Sequence, residues 1–461
     1  MKINRNMSAV LTNKQLLRTE NKLQTSMERL SSGFKINSAG DNPAGMAISN
    51  KMKEQIDALN QAESNANDGV SVLQIADGAL NEVASILQRM RELSVEAAGD
   101  TKTFEDKQAI QDEINQLVEE VDRISSDTEY NTKKLLDGSS NNRVYANDIE
   151  RISISENVPA DKYGIIINSV ATKAEETLSI PDAVAEDTSI TINGVKVAFT
   201  TDMTRDDMIN AIGEVAEEAG VAIENNEDGT VTVRTVDNGA DTSLEISLEQ
   251  SAADFSNAGN FTFDADSNIF ISKSLGTDSE VSLGDGFGKN ATVRTEGNRV
   301  FIRDNNGFKI DFRIKEDALD STEVEIEVTD IGKMAIQVGA NQYQEIYVDI
   351  PEVSASSLYL DTVNVVTSAG ADKAITTLDE AIAQTSSVRS RIGASQNRLE
   401  YATRSLSETQ EDMTAAYSRI LDTDMAEEMT EYAQQNVLDQ ATISVLAQAN
   451  DLPQQILSLL Q

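Results

Sequence analysis

The 461-residue chain contains no cysteine, no histidine and no tryptophan, and only 5 prolines. Without Cys or His there is no disulfide framework, no thiolate nucleophile, no Ser-His-Asp relay and no zinc site of the familiar ligand sets. Only carboxylate, Lys, Tyr or Ser chemistry remains. Positive charge is scarce too: 38 Lys and Arg face 78 Asp and Glu, for a formal net charge of −40. Nucleic acid and anionic lipid are held by clustered Lys and Arg that displace counterions, so neither is expected as a partner. No run of about 18 apolar residues occurs, and no membrane insertion is expected. Met1-Lys2-Ile3-Asn4-Arg5-Asn6 lacks the apolar stretch and cleavage site of a secretory signal. With 4% aromatic and 39% hydrophobic residues, the chain is poor in core formers yet too patterned for disorder. An elongated helical architecture fits that balance.

What is present is unevenly spread. Net charge is −6 over residues 1–140, −26 over 141–370 and −8 beyond. The middle also holds nine of the eleven Phe and three of the five Pro, namely Pro159, Pro181 and Pro351. Helical flanks bracketing a β-rich insert are the expected organisation. In the first flank Met52, Leu59, Ala66, Leu73, Leu80 and Leu87 recur every seven residues, a coiled-coil seam. Asp41-Asn42 precede Pro43 as cap candidates, and a helix of about 55 residues from there would run roughly 80 Å. A second helix opens on the Thr103/Asp106 capping pair and carries Ile110, Ile114, Leu117, Val121 and Ile124. In the last flank Leu378, Ile392, Leu399, Leu406, Met413 and Ile420 share one phase, broken by Thr385.

The extreme ends form a further pair. Leu16, Leu23 and Leu30 keep period seven at one end, and Leu438, Val445, Leu452 and Leu459 at the other. The phase slips near Asp422-Thr423-Asp424 and breaks between Gly40 and Gly45, so paired hinges and a separate terminal layer are expected. Two helices of such Asn-, Gln- and Ser-rich sequence are marginal in water, and other copies of the chain would complete their core. In the middle, Ile190 to Val197 alternates around Asn193-Gly194, a strong hairpin signal. Further hairpins are expected at Val221 to Val233, turning at Asp228-Gly229, and at Val293 to Phe312, with one helix near Arg205 to Ala219. The close carboxylates Glu224, Glu227 and Asp228, and Asp264 and Asp266, read as solvated acidic surface: neither group has the spacing of an EF-hand.

Several words in order carry a resemblance. They include Leu30-Ser31-Ser32-Gly33-Phe34-Lys35-Ile36-Asn37, Gly40-Asp41-Asn42-Pro43-Ala44-Gly45-Met46-Ala47, Asn131-Thr132-Lys133-Lys134-Leu135-Leu136-Asp137-Gly138, Gln396-Asn397-Arg398-Leu399 and Leu446-Ala447-Gln448-Ala449-Asn450. Through these the flanks resemble bacterial flagellin, the filament subunit of the flagellum. Gln337 to Asn341 followed by Ile346 to Ile350 is similar to that family's rod-domain strand pair. Near the carboxyl end the chain departs from the pattern at Tyr417, Gln434-Gln435, Asp451-Leu452 and Gln461.

The resemblance implies a mainly α fold, a long antiparallel coiled-coil or helical-bundle rod made from both chain ends with a β-rich (α+β) surface domain inserted. It implies residues 1–42 plus 422–461 as an inner terminal coiled coil, 43–171 plus 333–421 as a helical rod with a β-hairpin, and 172–332 as the variable outer part. The implied role is a structural, non-enzymatic subunit without cofactor or metal. Such a subunit leaves the cell unfolded through type III export and polymerises outside through Leu16, Leu23, Leu30, Leu438, Val445, Leu452 and Leu459. Implied partners are other copies, an export chaperone on the segment from Asp424 to Leu460, hook-associated and cap proteins, and host Toll-like receptor 5 at Gln88, Arg89, Leu93 and Glu113. A hook-associated junction protein, which caps the lattice, is the alternative. An enzyme displayed on a helical stalk is disfavoured, because the metallopeptidase inserts of some flagellins need His.

Overall fold

In the computed structural model, residues 6–459 are described apart from 100, 156, 227–228, 265–266 and 305–306, and the side chains of 257–258 and 452–459 are likewise outside the description. The helices begin where the sequence supplies caps. Helix α1 (Met7–Ser32) starts at Asn6, whose side chain accepts from Ala9 N–H, and stops at Gly33 in the left-handed region, φ 77°. Helix α2 (Pro43–Ala97) starts as Asn42 Oδ1 accepts Gly45 N–H at 3.0 Å, with Pro43 at the position that needs no N–H. Reciprocal capping boxes open α3 (Phe104–Asp127), through Thr103 and Asp106, and α4 (Arg205–Ala216), through Thr204 and Asp207. Helices α5 (Ser368–Leu421) and α6 (Met425–Leu459) close the chain.

Contacts divide the chain into two units, one comprising residues up to Asp68, Ile336–Ile346 and Arg398 onward, the other Gly69–Ala335 and Tyr347–Asn397. In the first, Leu59 and Ala62 of α2 pack with Leu406 of α5, flanked by Val338, Ala340 and Met413. Gln410 donates to Asn60 at 2.8 Å, and Val338 N–H closes a turn onto Gln344 O at 2.8 Å. Helices α1 and α6 lie antiparallel in this same unit, with Asn6 at Ala449 and Ser26 at Glu428. The segments that follow α1 and α5 are paired: Lys35 N–H donates to Leu421 O at 2.6 Å and Thr423 N–H to Gly33 O at 3.0 Å.

In the second unit the seven-residue phases are buried. Leu73, Leu80 and Leu87 of α2, Ile114 and Val121 of α3, and Leu378 and Ile392 of α5 are fully covered. Thr385, the polar member of the phase, is tolerated because its hydroxyl donates to Ala381 O at 2.9 Å. Arg389 reaches Asp77 at 2.9 Å and Arg91 reaches Asp379 at 2.5 Å, tying α5 to α2. By length and composition α2 could cross a bilayer; Leu73, Leu80, Leu87 and Met90 form a fully buried stripe along it, as in a core helix, while Ile48, Ile75 and Val95 are exposed.

The β-rich part of this unit has two cores. One lies within residues 174–275, where a sheet ordered Thr262–Asp264, Ile269–Leu275, Ser243–Glu249, Thr188–Ile192 and Val195–Phe199 packs with α4 and a three-stranded sheet. Phe199 and Phe255 stack inside it, centroids 5.1 Å apart. The Asn193-Gly194 hairpin forms as expected, with φ of 47° and 86° and Ile192 opposite Val195. Gly229 sits in the left-handed region between the expected strands Val221–Asn225 and Thr230–Thr235, while Asp228 lies outside the described residues. Residues 292–314 form the third expected pairing as a meander of three strands.

The second core corrects the boundary at 171. Strands Ile149–Ile154 and Lys162–Ser169, assigned above to the rod, pair with Lys309–Ile314 and with Glu280–Leu283 and Thr322–Val328. Their Ile149, Ile154, Ile165 and Ile167 fill one apolar core with Ile302, Phe312 and Ile326. The outer part therefore begins near Val144, and the first core is inserted within the second. The chain passes between them at paired segments where the Thr172 and Thr277 hydroxyls meet at 2.8 Å. The uninterrupted Ile165-Ile166-Ile167 run hides the period-two pattern, since Ile166 points to the solvent side.

Gly194→Ala tests the hairpin through the backbone alone, because nothing lies within 4 Å of the added Cβ. Forcing Ala to positive φ costs about 1 kcal/mol, so local hydrogen exchange across residues 188–199 quickens by about fivefold while exchange in α2 is unchanged.

Candidate assembly surface of the terminal helices

In the contact between α1 and α6 the most buried side chains are small or polar, and half-buried leucines flank them. On α1 the covered positions step by three and four through Thr12, Leu16, Thr19, Leu23, Ser26 and Leu30, with Thr19 and Ser26 the most buried. On α6 they run through Glu428, Tyr432, Gln435, Asp439, Thr442, Leu446 and Ala449. Ser26 donates its hydroxyl to Glu428 Oε1 at 2.5 Å, and Arg29 Nη1 lies 3.5 Å from Glu428 Oε2, whose side chain is 8% exposed. At the far end Asn6 Nδ2 donates to Ala449 O at 2.7 Å. Charge favours the same pairing: α1 carries four basic and two acidic residues, α6 five acidic and none basic.

The apolar period-seven residues divide. Leu16, Leu23 and Leu30 are half-buried against α6, closing the intramolecular contact. Leu438 and Val445 are 43% and 52% exposed and do not face α1. Leu438 precedes the seam residue Asp439 by one position, which turns it about 100° around the helix. Leu452 and Leu459 have side chains outside the described residues. Further large apolar side chains point outward: Met7, Val10, Leu11, Leu17 and Met27 on α1, and Met425, Met429, Val437 and Ile443 on α6. Burying one such side chain is worth about 1.5–3 kcal/mol, so the pair leaves most of its available hydrophobic stabilisation unrealised.

The hinge between α1 and α2 is held by one carboxylate. Asp41 Oδ2 accepts the N–H groups of Ser38 and Asn37 at 2.8 and 3.1 Å and the Ser38 hydroxyl at 3.1 Å. The Ser38 N–H, followed by the Asn37 N–H and the Ser38 hydroxyl, holds this carboxyl below its ordinary value. The matching hinge at the other end is capped by Asp424, which accepts from Ala426 and Glu427 N–H at 2.9 and 3.2 Å.

The four receptor candidates do not share one surface. Gln88, Arg89 and Glu113 are exposed, and Arg89 Nη2 meets Glu113 Oε1 at 2.8 Å across α2 and α3. That hydrogen bond raises the Arg89 pKa, as does the charge of Glu113. Leu93 is only 2% exposed and belongs to the core. Its neighbours Met90 and Ala97, three before and four after it, are fully buried on the same stripe. Of the acidic groups, Glu224 is paired with Arg234 at 2.7 Å, Asp264 accepts from the Ser267 hydroxyl, and Glu227, Asp228 and Asp266 lie outside the described residues.

Sequence reasoning missed the buried Ser26–Glu428 contact, although a signal was present. Thr12, Thr19 and Ser26 keep period seven, as do Glu428, Gln435, Thr442 and Ala449. A search for large apolar residues passes over such a repeat.

Known proteins bear on this arrangement. The chain matches the family model for the bacterial flagellin N-terminal helical region over residues 3–141 and that for the C-terminal helical region over residues 375–460. It is 34% identical over 454 residues to a flagellin of Clostridium tyrobutyricum, covering 98% of this chain and 100% of that one. Identity is 32% over 459 residues with flagellin D of Vibrio anguillarum, at 99% of each chain. It is also 32% over 506 residues with a flagellin of Salmonella typhimurium strain LT2, covering 100% of this chain and 99% of that one.

Glu428→Ala strands the Ser26 hydroxyl and the Arg29 guanidinium in the seam. A cost of about 1–3 kcal/mol is expected, read as α1 amide exchange at least about tenfold faster. At Asp41 the sign follows from the lowered folded-state pKa. Its hold on the turn is complete above the ordinary value of 3.8 and is lost as pH falls through the lower folded-state value. Amide exchange at Asn37 and Ser38, corrected for intrinsic rates, therefore rises in that acid range, and Asp41→Ala shows the same opening at neutral pH.

Proposed function

We propose, from the premise that the chain belongs to the bacterial flagellin family, that it is the polymerising structural subunit of a flagellar filament. The observation that carries this reading is the terminal pair itself. The most buried side chains of its internal contact are small or polar, and most of its large apolar side chains face outward. A surface of this kind gains stability only when covered, and identical subunits that meet through non-identical, non-closing faces propagate a helical filament. Leu438 and Val445 serve contacts between copies, whereas Leu16, Leu23 and Leu30 hold α1 to α6. Leu452 and Leu459 continue the period of Leu438 and are assigned to the same role.

The terminal layer, residues 1–42 and 422–461, forms the inner tube in this reading, the rod surrounds it, and the β-rich part from about Val144 lies outermost. The subunit is exported unfolded with a chaperone on α6 and meets hook-associated and cap proteins at the filament ends. Toll-like receptor 5 contacts Gln88, Arg89 and Glu113, with Leu93 supporting α2 from beneath. Arg89→Ala removes a charged hydrogen-bond donor and lowers binding to the receptor ectodomain by about tenfold; unchanged binding removes Arg89 from the site.

The assembly reading is tested by adding sheared filament seeds to purified monomer and following growth by electron microscopy. The intact chain elongates seeds, whereas a chain lacking residues 1–40 and 424–461 keeps its strand signal in circular dichroism and does not. Seeds that are capped without growth identify a junction protein instead, and equal growth by the truncated chain ends the terminal-packing argument.

A further inference from the structure

Three of the outward apolar side chains are methionines gathered at one place. Met27 follows Ser26, and Met425 and Met429 stand three positions before and one after Glu428, so the three bracket the Ser26–Glu428 contact at the hinge end of the pair. They are 52%, 48% and 53% exposed. By contrast Met90 and Met208, in the cores, are fully buried. A thioether is soft and unbranched and packs adaptably against an uneven apolar partner. Its sulfur is also the most readily oxidised atom in a chain without cysteine, at a rate that follows access.

We infer that Met27, Met425 and Met429 form an oxidation-sensitive patch of the assembly surface, whose conversion to methionine sulfoxide by a hydroperoxide stops a subunit from joining the filament. The inference rests on the filament reading above. With hydrogen peroxide the thioether sulfur donates a lone pair to one peroxide oxygen, the O–O bond breaks, and the departing hydroxide takes the proton of the sulfur-bound hydroxyl and leaves as water; an alkyl hydroperoxide releases its alcohol in the same way. Sulfur is oxidised to the sulfoxide and the peroxide is reduced. An apolar contact atom thereby becomes a strong acceptor with a fixed dipole, and burying it without a donor opposes packing. Methionine sulfoxide reductases reverse the change, so the block is reversible. Copies already in a filament have the patch covered, and the step acts on unassembled subunits.

The test treats purified monomer with hydrogen peroxide, maps sulfoxides by peptide mass spectrometry and measures elongation on untreated wild-type seeds. The comparison protein is Met27→Leu/Met425→Leu/Met429→Leu, which keeps apolar volume and removes the sulfurs. Oxidised wild type should elongate about tenfold more slowly and recover after sulfoxide reductase treatment, while the oxidised triple variant, still carrying exposed Met7, elongates as before. Equal loss in both proteins places the sensitive residue elsewhere, and unimpaired growth of oxidised wild type shows that the patch tolerates the sulfoxide; either result overturns the inference. If untreated wild type fails to elongate seeds, the filament reading fails, and this inference falls with it. Slower sulfoxide formation at the three positions in filaments than in monomers supports burial on assembly, and equal rates overturn it.

Discussion

A buried carboxylate sets the character of the terminal pair. Glu428 sits in the narrow contact between two helices, where it needs both a hydroxyl donor and a guanidinium, and Ser26 and Arg29 supply them. That requirement fixes the register of α1 against α6, because a slip of one turn would bury the charge without its partners, a loss of several kcal/mol. The seam is thus specific without being strongly stabilising. Specific pairing that holds its greasy side chains outward is what a building block needs if it is to be soluble alone and cohesive in company.

The same division of labour runs through the rest of the molecule. In the second unit, α2, α3 and α5 bury the leucines and isoleucines of their seams completely and are cross-tied by Arg389–Asp77 and Arg91–Asp379. The β-rich part closes two cores of its own. Uncovered large apolar side chains are concentrated on the terminal helices, which join the neighbouring helices by short hinges whose caps are single carboxylates, Asp41 and Asp424.

The sequence is most legible where one physical rule acts alone. The heptad with Leu73, Leu80 and Leu87, the caps at Asn42 and Thr103, and the Asn193-Gly194 turn each follow from a local preference that tertiary context reinforces. It is least legible where two rules compete. Leu438 and Val445 keep the period of a seam, yet both are exposed and the seam of α6 runs through Glu428, Gln435, Thr442 and Ala449, because a period of seven marks a helical stripe without saying what covers it. Strand Lys162–Ser169 is hard to see because three successive isoleucines serve both faces. Leu93 is a different case: its own periodicity with Met90 and Ala97 marks that stripe as core, and a surface role for it runs against that pattern.

The nesting of one β core inside another has its own consequence. Residues 174–275 leave and rejoin the larger core through Thr172 and Thr277, whose hydroxyls touch. A segment whose two ends are that close is topologically a loop, however well folded its interior. Lineages can lengthen, replace or delete it by a single recombination event without disturbing the register of any helix. The nested core is therefore free to change in length or content while the helical seams keep their packing.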